Sequence, residues 1–174
     1  MKSFSTLLNP DERWANFVLV SSQTKQLTQY TLEERYNSFS RIRLSQKVPE
    51  DVQSQFNIAG MLGVYAWFYY PFHQVAELKV FATLEMALRL RFPNVKGGLK
   101  KLLTVAVDNG LIVDDGFSHI LPRENDSANY SKKLPELISS MRNDLAHGTV
   151  TLHPGSLFTI NNCAEILNQL FPDN

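Results

Sequence analysis

The chain of 174 residues contains a single cysteine, Cys163. That excludes an internal disulfide and any cysteine-rich zinc centre, and it fits a reducing, cytoplasmic setting. No excess of either charge is present: 17 Lys and Arg stand against 17 Asp and Glu. The whole molecule therefore exerts no long-range pull on a polyanion, and any nucleic-acid surface has to be a local patch. A long hydrophobic run is also lacking. Residues 52–76 carry no Asp, Glu, Lys or Arg, but the apolar centre extends only from Ile58 to Tyr70. That is short of the roughly 20 residues a membrane span needs, and Gln53, Gln55, Asn57 and Pro71 interrupt its flanks. The segment reads as a buried or interface helix, and no membrane partner is expected. Met1-Lys2-Ser3-Phe4 leads into mixed polar sequence, so no signal peptide is expected either. There is no internal repeat, no phosphate-binding glycine loop, no Gly-x-Ser-x-Gly element and no paired-carboxylate motif. His73, His119 and His153 are scattered without metal-ligand spacing, so no metal or other cofactor is expected.

What is present is a globular composition, 44% hydrophobic and 20% charged, in a length that suits one domain over residues 1–174. Helix signals dominate. Asn9-Pro10 precedes a short helix around Asp11 to Val20. Thr31 followed by Glu34 forms a capping box that opens a helix through about Phe39. Pro49-Glu50-Asp51 places a proline and two acids at the start of another, running to about Tyr69. Gly60 and Gly63 inside it imply close packing against a neighbour. After Pro71, a helix from Phe72 to Arg91 is apolar around most of its circumference (Val75, Leu78, Val80, Phe81, Leu84, Leu88), which places it at the centre of a bundle. Leu99 to Asp108 is a short helix stopped by Asn109-Gly110. Residues 110–131 read as irregular, with brief extended pieces around Ile112 and Ile120 and a loop over 124–131. Pro135 opens a helix with Leu134, Leu137, Ile138, Met141 and Leu145 on one face, ended by Gly148 as the C′ residue. A last helix follows Pro154-Gly155-Ser156. The fold class is all-α, a bundle of five or six helices, with no strong strand signal.

The chemistry concentrates at the end of the Pro135 helix, in Arg142-Asn143-Asp144-Leu145-Ala146-His147-Gly148. Arginine offers a permanent charge and a planar fork for phosphate oxygens. Histidine is suited to proton transfer near neutral pH. It stands in the last turn, where unpaired carbonyls favour a cation. Arg142 and His147 are five apart, roughly 140° around a helix. They can act on one phosphate only if His147 bends around at a frayed end, or if a second copy supplies the partner group across a two-fold axis.

This run resembles the Arg-x(4–6)-His motif, with a polar residue after the arginine, of the HEPN superfamily (higher eukaryotes and prokaryotes nucleotide-binding). The helix with Phe81-Ala-Thr-Leu-Glu-Met-Ala-Leu-Arg89 is similar to the central helix of that group. The resemblance covers about residues 55–171, and residues 1–50 form an unmatched helical extension. It implies a dimerising helical bundle. For many members it implies a metal-independent endoribonuclease used as a toxin or in phage defence. Arg142 and His147 match the catalytic pair, with Asn143 assisting and Asp144 beside them. RNA, a second copy of the chain and, for a toxin, an antitoxin protein are the partners so implied. Other members keep the fold and serve only as dimerisation or nucleotide-binding modules.

Glu85 has two readings: a partner that orients the Arg142 guanidinium, or an i,i+4 contact with Arg89. Arg89, Arg91, Lys96, Lys100 and Lys101 form a basic run that is either an RNA-backbone contact or a solvated face. Lys100 and Lys101 lie at a helix start, where positive charge is disfavoured. Arg41, Arg43 and Lys47 form a second small cluster with the same two readings. The aromatic run Tyr65, Trp67, Phe68, Tyr69, Tyr70 and Phe72 fits core or dimer interface better than base stacking.

Overall fold

The computed structural model describes residues 1–20, 25–120, 130–152 and 154–173. Among them are six helices: α1 (Leu32–Ser40), α2 (Glu50–Tyr65), α3 (Phe72–Arg91), α4 (Leu99–Asp108), α5 (Tyr130–Ala146) and α6 (Ser156–Leu170). One two-stranded antiparallel sheet pairs β1 (Val18–Val20) with β2 (Leu27–Gln29), Val18 opposite Gln29 and Val20 opposite Leu27. The fold is an all-α helical bundle. No helix among the described residues is long and apolar enough to cross a membrane.

Helix α3 is the axis of the bundle. Ala76, Val80, Phe81, Leu84, Ala87 and Leu88 are buried on it, and it packs against α2, α4, α5 and α6. Removing apolar area on this broad face from water is the main stabilising term, whereas Val75, Ala82 and Leu90, on the side the sequence pattern also made apolar, remain exposed. Helix α1 starts as its capping box dictates: the Thr31 hydroxyl accepts the Glu34 N–H at 3.2 Å, and the Glu34 carboxylate accepts the Thr31 N–H at 2.8 Å.

Several sequence expectations are corrected. Among the described residues before α1 the N-terminal extension forms no α-helix, only short 3₁₀ turns at Phe4–Thr6 and Glu12–Asn16. Asp11 caps only a short 3₁₀ turn, Glu12–Asn16, and the following Val18-Leu19-Val20 run takes its β preference and pairs as β1. Trp14 from this region packs on Trp67 and Tyr70, and its indole N–H donates to the Ala66 carbonyl at 3.1 Å. Helix α2 ends at Tyr65, not Tyr69, because Trp67 N–H turns back to the Val64 carbonyl at 3.0 Å. That leaves the Gly63 carbonyl without an intrahelical partner. Arg35, buried on α1, supplies one: its Nε donates to the Gly63 oxygen at 2.8 Å and its Nη2 to the same atom. A guanidinium thus closes the negative end of a neighbouring helix. Its plane lies 4.5 Å from the Trp14 ring centre and 5.2 Å from that of Phe39. Burial pushes the Arg35 pKa down, opposed by Tyr30 and Tyr70. Gly63 is a point of close approach, where a Cβ would collide with the Phe39 ring, whereas Gly60 faces open space.

Helix α5 begins at Tyr130, and Pro135 lies inside it, not at its start. Residues 130 and 131 of the expected loop are therefore helical, and the remainder, 124–129, lies outside the described residues. Among the described residues Ile112 and Ile120 lie in no strand, and a 3₁₀ turn, Asp114–Gly116, lies between them; the piece beyond Ile120 lies outside the described residues. Asp114 explains the early start of α5. Its carboxylate accepts the N–H groups of Tyr130 (3.2 Å) and Ser131 (2.7 Å), a helix cap delivered from 16 residues upstream. Partial burial would raise this carboxyl, but the Ser131 and Tyr130 hydrogen bonds and nearby Lys132 outweigh it and hold the pKa below the ordinary carboxylate value. A group depressed in the folded state stabilises above its unfolded pKa and loses that contribution as pH falls through the folded one. Asp114→Ala is expected to cost about 1 kcal/mol at pH 7. In urea unfolding the gap to the wild type should narrow as pH falls below the ordinary carboxylate value of about 3.9; a gap that does not change with pH contradicts the cap.

Candidate active site

The end of α5 is not frayed. His147 N–H donates to the Asn143 carbonyl at 2.9 Å, so the residue stays on the helical path. Gly148 follows with φ +86, its N–H reaching the Leu145 carbonyl (3.3 Å) while Thr149 N–H reaches that of Asp144 (3.1 Å). These are the two bonds of a Schellman cap, with His147 as the C-cap and glycine at the left-handed position that side chains resist. The chain beyond is fastened to the start of α3, where Gln74 Nε2 donates to the carbonyls of Thr149 (2.9 Å) and Thr151 (2.8 Å).

Arg142 is held at both ends of its guanidinium. Nη1 donates to Asn143 Oδ1 at 3.0 Å, and Nη2 to Glu85 Oε2 at 3.3 Å. The other Glu85 oxygen, Oε1, accepts from Arg89 at 2.6 Å. Both readings of Glu85 therefore hold together, one carboxylate oxygen for each arginine. The Arg142 side chain keeps 33% exposure beside the half-buried Glu85. Asn143, Asp144 and His147 are exposed. The Asp144 side chain and the His147 ring make no hydrogen bond or ion pair among the described residues, so the contribution of Asp144 to this end of the helix is its backbone carbonyl. Because His147 remains on the helix, it stays on a different side from Arg142, and one copy of the chain presents the two groups apart.

The basic run divides. Arg89 is bound to Glu85 and to the Gly97 carbonyl at 3.2 Å. Lys100 pairs with Glu136 of α5, which accounts for a cation at the start of α4. Arg91, Lys96 and Lys101 are exposed and form no ion pair among the described residues. Of the aromatic run, Trp67 and Tyr70 are core residues, while Tyr65 and Tyr69 are nearly half exposed.

The scattered histidines conceal a polar cluster that periodicity did not point to. His73 is buried in α3, its Nδ1 2.7 Å from Ser156 Oγ and its Nε2 3.4 Å from Arg35. One turn on, buried Glu77 accepts the Thr159 hydroxyl at 2.8 Å. Histidine and glutamate four apart on an otherwise apolar helix were the available signal, since buried polar groups need partners. His153 lies outside the described residues. Cys163 is buried, and burial pushes its thiol pKa up, away from the nucleophilic thiolate. No group of three His, Cys, Asp or Glu among the described residues is placed to hold a metal ion.

Fold and site together define a helical bundle with an anchored arginine and a free histidine at one capped helix end. No family model, curated protein or solved structure matches the chain.

Proposed function

We propose that this protein is a metal-independent endoribonuclease of the HEPN kind, acting as a homodimer in a toxin or phage-defence role. In this reading Arg142, Asn143 and His147 are the catalytic residues. The RNA 2′-hydroxyl attacks the adjacent phosphorus and gives its proton to an imidazole. The imidazolium so formed returns that proton to the 5′ oxygen as its bond to phosphorus breaks, and a 2′,3′-cyclic phosphate remains. Arg142 stabilises charge on the pentacoordinate phosphorus, in the manner of a preorganised donor. Glu85 and Asn143 fix the guanidinium without covering it.

The observation that carries the reading is the way the two groups are held. Arg142 has two fixed acceptors, and His147 is locked on the helix by the Schellman cap. With the backbone helical through His147, the two side chains leave the helix roughly 140° apart, which supports a site completed by a second copy. Purified protein incubated with RNA and excess chelator is expected to yield fragments with cyclic phosphate and 5′-hydroxyl ends and to leave DNA intact. Intact RNA under varied conditions sinks the proposal.

The Glu85–Arg142 ion pair also favours a second reading, a non-catalytic dimerisation or nucleotide-binding module in which the arginine is a structural tie. In that case RNA or a nucleotide is retained without cleavage, and Arg142→Lys is tolerated.

A further inference from the structure

Arg142 is one end of a line of cations, and Glu85 is the joint that reveals it. The carboxylate grips Arg142 with one oxygen and Arg89 with the other. Two guanidiniums share one negative charge, so this junction keeps a net positive charge. Arg89, 52% exposed, also reaches the Gly97 carbonyl. Gly97 sits at φ +140, and the place a Cβ would take lies 2.9 Å from Cβ of Lys101. Arg142 and Arg89 are thus joined through Glu85, and Arg89 reaches the turn at Gly97 against which the stem of Lys101 packs at the start of α4. The neighbouring Lys100 is not on this line, because Glu136 neutralises it. Among the described residues Lys101 has no such partner, and it stands in the first turn of α4, where the helix dipole disfavours a cation. An uncompensated charge in an unfavourable place is stabilised by an external anion. Beside Arg89 the surface dips into an open hollow of about 480 Å³ floored by Ala82, Met86 and Leu90, with Glu85 and its arginine Arg89 at the edge. An apolar floor with a cationic rim fits a base next to its phosphate.

We infer that single-stranded RNA lies along this line, with successive phosphates on Arg142, Arg89 and Lys101 and a base over Met86 and Leu90. The inference rests on the ribonuclease reading and adds the path of the substrate and its direction away from the α5 end. An acidic protein segment is the competing ligand. Its charges lack the flat apolar faces that the hollow beside Arg89 accommodates.

The test measures binding of a labelled uridine oligonucleotide to the full-length chain carrying His147→Ala, across a range of salt concentrations. For single strands, each phosphate contact contributes about 0.7 to the slope of log affinity against log salt. Arg89→Gln and Lys101→Gln are each expected to reduce the slope by about that amount, and Lys100→Gln to leave it unchanged. The exposed Lys101 side chain carries no hydrogen bond or ion pair that the fold depends on, so its variant reads the contact even if Arg89→Gln disturbs the turn at Gly97. If Arg142→Gln lowers the slope but Arg89→Gln and Lys101→Gln do not, the path is wrong and the ribonuclease reading stands. If polyglutamate competes as well as polyuridylate at equal charge, the line is a protein-docking surface and the inference falls. Failure of the wild type both to bind and to cleave RNA removes the inference and the reading beneath it.

Discussion

Alanine at Arg142 or at His147 is expected to lower RNA cleavage by about 10²–10⁴-fold, and mixing the two inactive variants is expected to restore it. The first figure is the usual contribution of a positioned proton donor or acceptor, or of one charge-stabilising group. Recovery on mixing follows from the geometry at the end of α5. If one chain contributes the arginine and its partner the histidine, a homodimer of either variant has no complete site. A mixed dimer has one site lacking both groups and one site with both. Random exchange makes half the dimers mixed, so about a quarter of wild-type activity should return. A mixture as inactive as its components would show that each chain carries its own pair, contrary to the shared site. Arg142→Ala leaves Glu85 to Arg89 alone, so the change is local, and circular dichroism of that variant should match the wild type.

The second large effect concerns stability. Arg35→Ala is expected to cost about 3 kcal/mol or more in urea unfolding, from a buried carbonyl left unpaired and a void between aromatic rings. The Gly63 carbonyl loses both N–H donors, and Trp14 and Phe39 lose the plate that lies against them. Arg35→Lys should recover only part of the loss. An ammonium keeps the charge but not the planar fork, nor the stack against the rings. A cost below about 1 kcal/mol, the range of an ordinary surface change, would deny the arginine its place at the end of α2. Arg142 and His147 belong to another helix, so the folded fraction of Arg35→Ala should retain whatever cleavage the wild type has.

These two residues mark what the sequence makes legible and what it hides. Local signals translate well. Thr31 and Glu34 form both bonds of the capping box they spell. Gly148 ends α5 where a left-handed residue is needed. The apolar pattern of residues 72–91 does yield the central helix, buried along Val80, Phe81, Leu84 and Leu88, while Val75 of the same pattern is exposed. What stays hidden depends on partners distant in the chain. A charged residue in a helix pattern reads as solvent-facing, so the burial of Arg35 is invisible without the Gly63 carbonyl that receives it. The start of α5 is set by Asp114, which no local window around Tyr130 contains. The strands at Val18 and Leu27 arise because a capped 3₁₀ turn stops early and a β-branched run follows. At the candidate site the i,i+4 spacing of Glu85 and Arg89 pointed to one contact and the resemblance to the other. Only folded geometry places a carboxylate with two oxygens between both arginines.

The segment from Arg142 to Thr151 is tied to α3 twice, through Glu85 near its middle and Gln74 near its start. Those anchor points are eleven residues apart, about 16 Å along a helix rising 1.5 Å per residue. A span clamped at both ends to one rod has a fixed length and phase. Sliding α5 by a single residue would rupture both clamps together, so the arginine and the histidine are set out of register jointly or not at all.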